Sequence, residues 1–202
     1  MFELALHILD LVQNSVAAGS KLVVVTVRLD KASDTLTIII SDDGCGMDEA
    51  LRSRVESPFA TTRTTRKVGL GIPMFKQCAE MCGGSVVLQS EVGVGTVLTA
   101  TFQASHVDLP PLGDLRGTFL SLVMGSPERP DFVLRYSADG RTFEFDTRPI
   151  REALGDDIDI IVHCFWYSDD RKTLFVQSHR KAKCVIPTNT DKLFNAKMFE
   201  YF

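Results

Sequence analysis

Leu4, Ile8, Leu11 and Val12 recur at helical spacing, which predicts one helix over residues 3–17 with a buried stripe. Ala18-Gly19-Ser20 ends it, and Gly19 suits the left-handed position after a helix. The period then changes. KLVVVTVRLD and DTLTIIIS are rich in β-branched residues and read as two strands. The KAS between them is short, which predicts an antiparallel hairpin. From Gly69, GLGIPMFKQCAEMCGG opens on glycines, places Pro73 in a first turn and closes on Gly83-Gly84. It reads as a helix whose apolar positions are Ile72, Phe75 and Met81. SVVLQS and TVLTATF come next as strands joined by EVGVG.

Residues 48–68 break this order. Period is lost, Ser, Thr and Arg are abundant, and PFATTRTTRKV closes the stretch, which reads as a mobile loop over something. After Phe102, the prolines of QASHVDLPPLGD mark a linker or domain edge. Asp114 caps a helix ending at Gly125, with Leu115, Phe119, Leu122 and Val123 apolar. DFVLRY and RTFEFD flank Ser-Ala-Asp-Gly, a further hairpin signal. IDIIVHCFWY and TLFVQS are candidate strands around the turn SDDRK, and NTDKLFNAKMFEYF yields no element. No internal repeat or low-complexity segment is present.

Composition narrows the class. Hydrophobic residues are 45% of the 202 and charged residues 24%, which supports a packed core and opposes global disorder. The net charge of -4 gives no basic excess for nucleic acid. No apolar run approaches the roughly 18 residues of a membrane span. MFELALHILDLVQNS carries Glu3 and Asp10 without a basic leader, so it reads as an amphipathic helix and not a signal peptide. Five scattered cysteines favour reduced thiols in a cytoplasmic protein. Cys78 and Cys82 share a helical face, but His163, Cys164, His179 and Cys184 lack zinc-type spacing, so both read as small buried residues.

Three segments carry chemistry. In SDDGCGM, Asp42 ends an apolar strand, where a shielded carboxylate accepts strongly from a donor such as the adenine amine. Gly44 and Gly46 let backbone pass close to a flat ring. Adjacent carboxylates repel, so Asp43 must face solvent, a cation or a donor. In KVGLGIP, glycines at a helix start leave N–H groups pointing outward, which favours an anion, and Lys67 adds charge. On the first helix Asp10 and Asn14 are four apart and project from one face. Asn14 offers an amide oxygen to Mg²⁺, while Asp10 is placed to orient an attacking group, with Gln13 as a helper. Taken singly, the first segment is equally a tight acidic turn, the second a common glycine-rich helix entry, and the third more often an ordinary solvated polar face.

Their order resembles a family. DLVQNSVAAG is similar to the N box of the ATPase superfamily shared by gyrase, the ninety-kilodalton chaperone, histidine kinases and mismatch-repair ATPases. DDGCGM resembles its first glycine box, and VGLGIPMFKQCAEMCGGSVVLQSEVGVGT its second glycine box and the segment after that box. The resemblance covers residues 1–103. It implies an α+β two-layer sandwich of the Bergerat type, a mixed sheet with helices on one face, followed by a small C-terminal α+β segment over 104–202. It implies ATP and Mg²⁺ as cofactors. Asn14 would be the metal ligand, Asp42 the partner of the adenine amine, and Gly44 and Gly46 the lining of the base. Gly69, Leu70 and Gly71 would meet the phosphates, and Thr96 would sit near the base beside Asp42. Asp10 falls where many members place a catalytic glutamate and is one methylene shorter. Asp43 falls where an asparagine is common and would add negative charge near the phosphates.

Histidine kinases carry a phosphoacceptor histidine on a helical hairpin before the N box. Here the N box begins almost at Met1, so the expectation is not a complete sensor kinase. His7 shares the Asp10 face and reads as a packing or supporting histidine. Two classes remain: an enzyme passing the γ-phosphoryl group to a partner protein or to water, and a module whose loop at 48–68 is ordered by ATP and read by a partner. The enzyme is favoured slightly, because of Asp10. In the C-terminal part, Phe143, Phe145, Phe165 and Trp166 are either core or a docking surface, with core preferred.

Overall fold

The computed structural model describes residues 3–56, 71–126, 128–154, 174–177 and 183–186. α1 (Leu4–Ala17) buries Leu4, Ile8, Leu11 and Val12, the stripe its spacing predicts. It ends on paired backbone bonds, Gly19 N–H to Val16 O and Ser20 N–H to Ser15 O, with Gly19 at a φ of 73°. That left-handed residue closes the helix without a side-chain penalty.

β1 (Leu22–Asp30) and β2 (Thr35–Asp42) form the expected antiparallel hairpin. After α2 (Glu49–Glu56) and α3 (Gly71–Met81), β3 (Ser85–Glu91) and β4 (Gly95–Gln103) make the next hairpin. α4 (Leu115–Gly125) starts on Asp114, whose side chain accepts from Gly117 N–H at 2.8 Å, and buries all four predicted apolar positions. β5 (Asp131–Ala138) and β6 (Arg141–Asp146) close on Asp139 and Gly140, both at positive φ, the turn that matches strand twist. α5 (Thr147–Leu154) comes next, and β7 (Leu174–Gln177) and β8 (Lys183–Ile186) pair with each other.

Six strands form one mixed sheet in the order β3-β4-β2-β1-β5-β6, in which only the β1–β5 pair is parallel. Alternation sends Val23, Val25 and Val27 of β1, Ile38 and Ile40 of β2, Leu98 and Ala100 of β4, and Phe132 and Leu134 of β5 into the core. α1 meets β2, α3 meets β3 and β4, and α4 meets β5. This is the α+β layered architecture expected from the strand and helix order.

The polar stretch expected as a domain edge is a connection without helix or strand, yet the sheet runs on past it. Leu4 and Ala5 N–H donate to Pro111 O and Leu112 O at 3.0 and 2.9 Å, so the connection itself satisfies the start of α1. Phe143 and Phe145 belong to the core cluster, while Phe165 and Trp166 lie outside the described residues.

Some expectations about single elements need correcting. Residues 49–56 are helical and not loop: Asp48 caps Leu51 N–H at 2.7 Å, and Glu49 pairs with Arg52 one turn on. The remainder of the expected mobile loop, from 57 on, lies outside the described residues. Met81 is 61% exposed, because the core side of α3 is taken by Phe75 and Ala79. α5 and β8 had no counterpart in the sequence pattern, and the candidate strand IDIIVHCFWY falls outside the described residues.

Candidate active site

A cleft of about 340 Å³ opens between α1, α2 and the ends of β2 and β4. Asn14, Asp42, Gly46 and Thr96 line it together with an apolar wall that includes Ile40, Met47, Ile72 and Leu98. Its volume lies in the usual range of small-molecule sites, and a few polar groups in an apolar setting are their usual chemistry. A larger groove, about 480 Å³, is lined by His7, Met74, Cys78 and Cys82 among others and contains none of the predicted binding residues.

Asp42 and Asp43 part company at the end of β2. Asp42 Oδ2 accepts from Ser15 Oγ at 2.6 Å and Oδ1 from Gly44 N–H at 2.9 Å, which holds the carboxylate against the end of α1. Asp43 Oδ1 turns instead to the start of β1, where Lys21 and Leu22 N–H donate at 2.6 and 2.9 Å. Burial opposes its charge, but those two backbone donors outweigh burial and hold its carboxyl below the usual carboxylate range. Asp43 thus faces donors, one of the three surroundings its sequence position required, and is not among the residues lining the cleft.

The glycines answer to protein contacts. A Cβ on Gly44 would stand 2.8 Å from Ser20 Oγ and 2.9 Å from Ala18 Cβ. Gly46, at a φ of 64°, leaves no room for a Cβ against Glu91 O. Cys45 N–H donates to Ala18 O, and Gly93 N–H to Cys45 O, so the turn is pinned between α1 and the β3–β4 hairpin. Thr96 lies opposite Asp42 in the β2–β4 ladder, and its Oγ1 is 2.9 Å from Ser90 Oγ.

At the other end, a Cβ on Gly71 would stand 3.7 Å from Asp10 Cβ and 3.9 Å from Asn14 Nδ2. The start of α3 therefore abuts the exposed polar face of α1 that carries both residues. Lys67, Gly69 and Leu70 lie outside the described residues. His7 does not line the cleft. Its ring packs on Phe75 at 5.5 Å; burial lowers its pKa and the Asp10 carboxylate pulls the other way.

A family profile described as histidine kinase-, DNA gyrase B- and HSP90-like ATPase matches residues 3–106, just over half of the chain. The chain belongs to this ATPase family. It is 33% identical over 81 residues to the sensor histidine kinase CitA of Klebsiella pneumoniae, covering 40% of this chain and 14% of that protein. It is 27% identical to the virulence sensor protein BvgS of Bordetella bronchiseptica, covering 58% of this chain and 10% of that one. Sporulation kinase D of Bacillus subtilis is 33% identical over 45% of this chain and 17% of its own length. The chain therefore spans a small part of each relative's length.

For a histidine-kinase-like ATPase, one residue of the cleft and one that supports its lining turn were not singled out from sequence. Ser15 follows Asn14 directly and meets Asp42 through its hydroxyl. Ser90 accepts from Met47 N–H at 2.8 Å and donates to Gly95 O at 3.0 Å, tying the first glycine turn to the β3–β4 hairpin. The position of Ser15 in the buried stripe was a readable signal, whereas the role of Ser90 depends on a cross-strand register. Cys82 is buried and Cys78 half-buried; burial, with the Cys82 thiol alongside, pushes Cys78 up to about 11, which suits small packing residues.

Proposed function

We propose that this chain binds Mg-ATP and passes the γ-phosphoryl group to a partner protein or to water, as a regulatory kinase or ATPase in the cytoplasm. The carrying observation is that Asn14, Asp42, Gly46 and Thr96 share one cleft while Gly71 abuts Asp10 and Asn14. In this reading Asp42 accepts the adenine amine, with Thr96 beside it and Gly44 and Gly46 shaping the turn that lines the base. Asn14 holds the metal through its amide oxygen. Mg²⁺ keeps several waters and asks few ligands of a protein, so one amide suits it. When bound, the ion neutralises charge on the phosphates. The N–H of Gly71 at the start of α3 meets the phosphates in this reading, the family resemblance assigns Gly69 and Leu70 to the same group, and Lys67 adds charge. Asp10 orients the attacking group.

Among the described residues no helix is long and apolar enough to cross a membrane. The net charge of -4 favours a protein partner over nucleic acid.

A second reading is a non-catalytic switch. Leu51 and Val55 of α2 line the cleft, so an occupant alters what that helix packs against, and a partner reads the change. Incubation with labelled ATP and Mg²⁺, alone and with candidate partners, separates the two. The enzyme gives hydrolysis or transfer that Asp10→Ala removes; tight binding with neither reaction leaves the switch.

A further inference from the structure

The apolar stripe of α1 runs Leu4, Ile8, Leu11 and then, at the next position, Ser15. Ser15 is 4% exposed, as buried as the leucines before it. A hydroxyl at a stripe position costs free energy unless it is bonded, and an alanine there would cost nothing. The Ser15 hydroxyl is bonded to Asp42 Oδ2 at 2.6 Å, and it also lines the cleft. Gly44 N–H takes the other carboxylate oxygen, so the plane of the carboxylate is held from two sides. Each oxygen keeps a lone pair for one more donor.

We propose that Ser15 is a positioning residue that makes the cleft selective for a base bearing an exocyclic amine. This rests on the nucleotide reading of the cleft. By donating to Asp42, Ser15 aims the remaining lone pairs of the carboxylate at the base. An amine on the base completes the set. A carbonyl at the same place, as in guanine, meets an acceptor with an acceptor and forms no bond. Ser15 also adjoins Asn14, so one helical turn sets both the base partner and the proposed metal ligand.

The test is calorimetric binding of ATP, GTP and purine riboside triphosphate, which lacks the amine, to the full chain with Mg²⁺. Ser15→Ala is expected to weaken ATP binding about tenfold, to leave purine riboside triphosphate unchanged and to narrow the gap between ATP and GTP. Ser15→Cys keeps the shape with a weaker donor and is expected to show a smaller loss of the same kind; it carries the test if the alanine variant does not fold. Equal weakening for all three nucleotides, or no change for ATP, overturns the proposal while leaving the cleft a nucleotide site. Absence of ATP binding by the unaltered chain overturns the nucleotide reading as well.

Discussion

Asp42 and Thr96 are direct partners in the β2–β4 ladder, although 54 residues separate them in the chain. A carboxylate and a hydroxyl thus reach the same end of the cleft on neighbouring strands, with Ser15 approaching from α1. Asp42→Asn keeps the shape but replaces one acceptor oxygen by a donor. It is expected to weaken ATP binding about 10- to 100-fold with little change in melting temperature, measured by calorimetry and thermal unfolding. Unchanged affinity would remove Asp42 from the base site.

Gly46 has no space for a side chain against Glu91 O and stands at positive φ. Gly46→Ala must shift the first glycine turn or the β3–β4 hairpin. A loss of about 1–3 kcal/mol is expected in denaturant unfolding, together with weaker nucleotide binding. Gly93, also at positive φ but with nothing near its missing Cβ, serves as the comparison, and its alanine variant should lose less.

His7 gives a pH dependence of definite sign. Burial depresses its folded pKa below the ordinary 6.5. Between the folded and unfolded values the unfolded chain binds more protons, so stability falls as pH drops from about 6.5 through the folded pKa. Above 6.5 both states hold a neutral imidazole and the effect vanishes. Unfolding midpoints across this range should show the decline in the unaltered protein and a shallower one in His7→Gln. Equal slopes would show that His7 is not its source.

The place of residues 104–146 in the core is open to deletion. β5 pairs with β1 from Leu22↔Asp131 to Leu29↔Ala138, and α4 packs on α1. Removing residues 104–202 strips the partner from one edge of β1, takes away the helix that packs on α1, and leaves Leu4 and Ala5 N–H without Pro111 O and Leu112 O. Loss of soluble expression is expected, as for one shared core. A soluble 1–103 fragment with intact ATP affinity would instead establish two separable domains.

Much of the fold was legible because its signals are local. Gly19 and Gly83 end α1 and α3 at positive φ, and β-branched runs mark β1 and β2. α2 was missed because its apolar content is sparse; Leu51 and Val55 show the helical spacing, and the Asp48 cap was hidden in a polar stretch. Met81 sat at a plausible core spacing, but α3 leans on the sheet through Phe75 and Ala79. The three boxes were visible as motifs, since each is a short run of residues with its own local geometry.

The amino-acid sequence alone determined α1, α3, α4 and the strands β1 to β7, the hairpin partners and the family, because turn residues, period and short motifs act over a few positions. Only the tertiary structure decided that β5 lies beside β1, that Asp43 turns to β1 while Asp42 turns to Ser15, and that Gly71 meets Asp10 and Asn14. Those outcomes depend on hydrogen bonds and packing between segments far apart in the chain, and no local pattern encodes which distant backbone donor or side chain will come within reach.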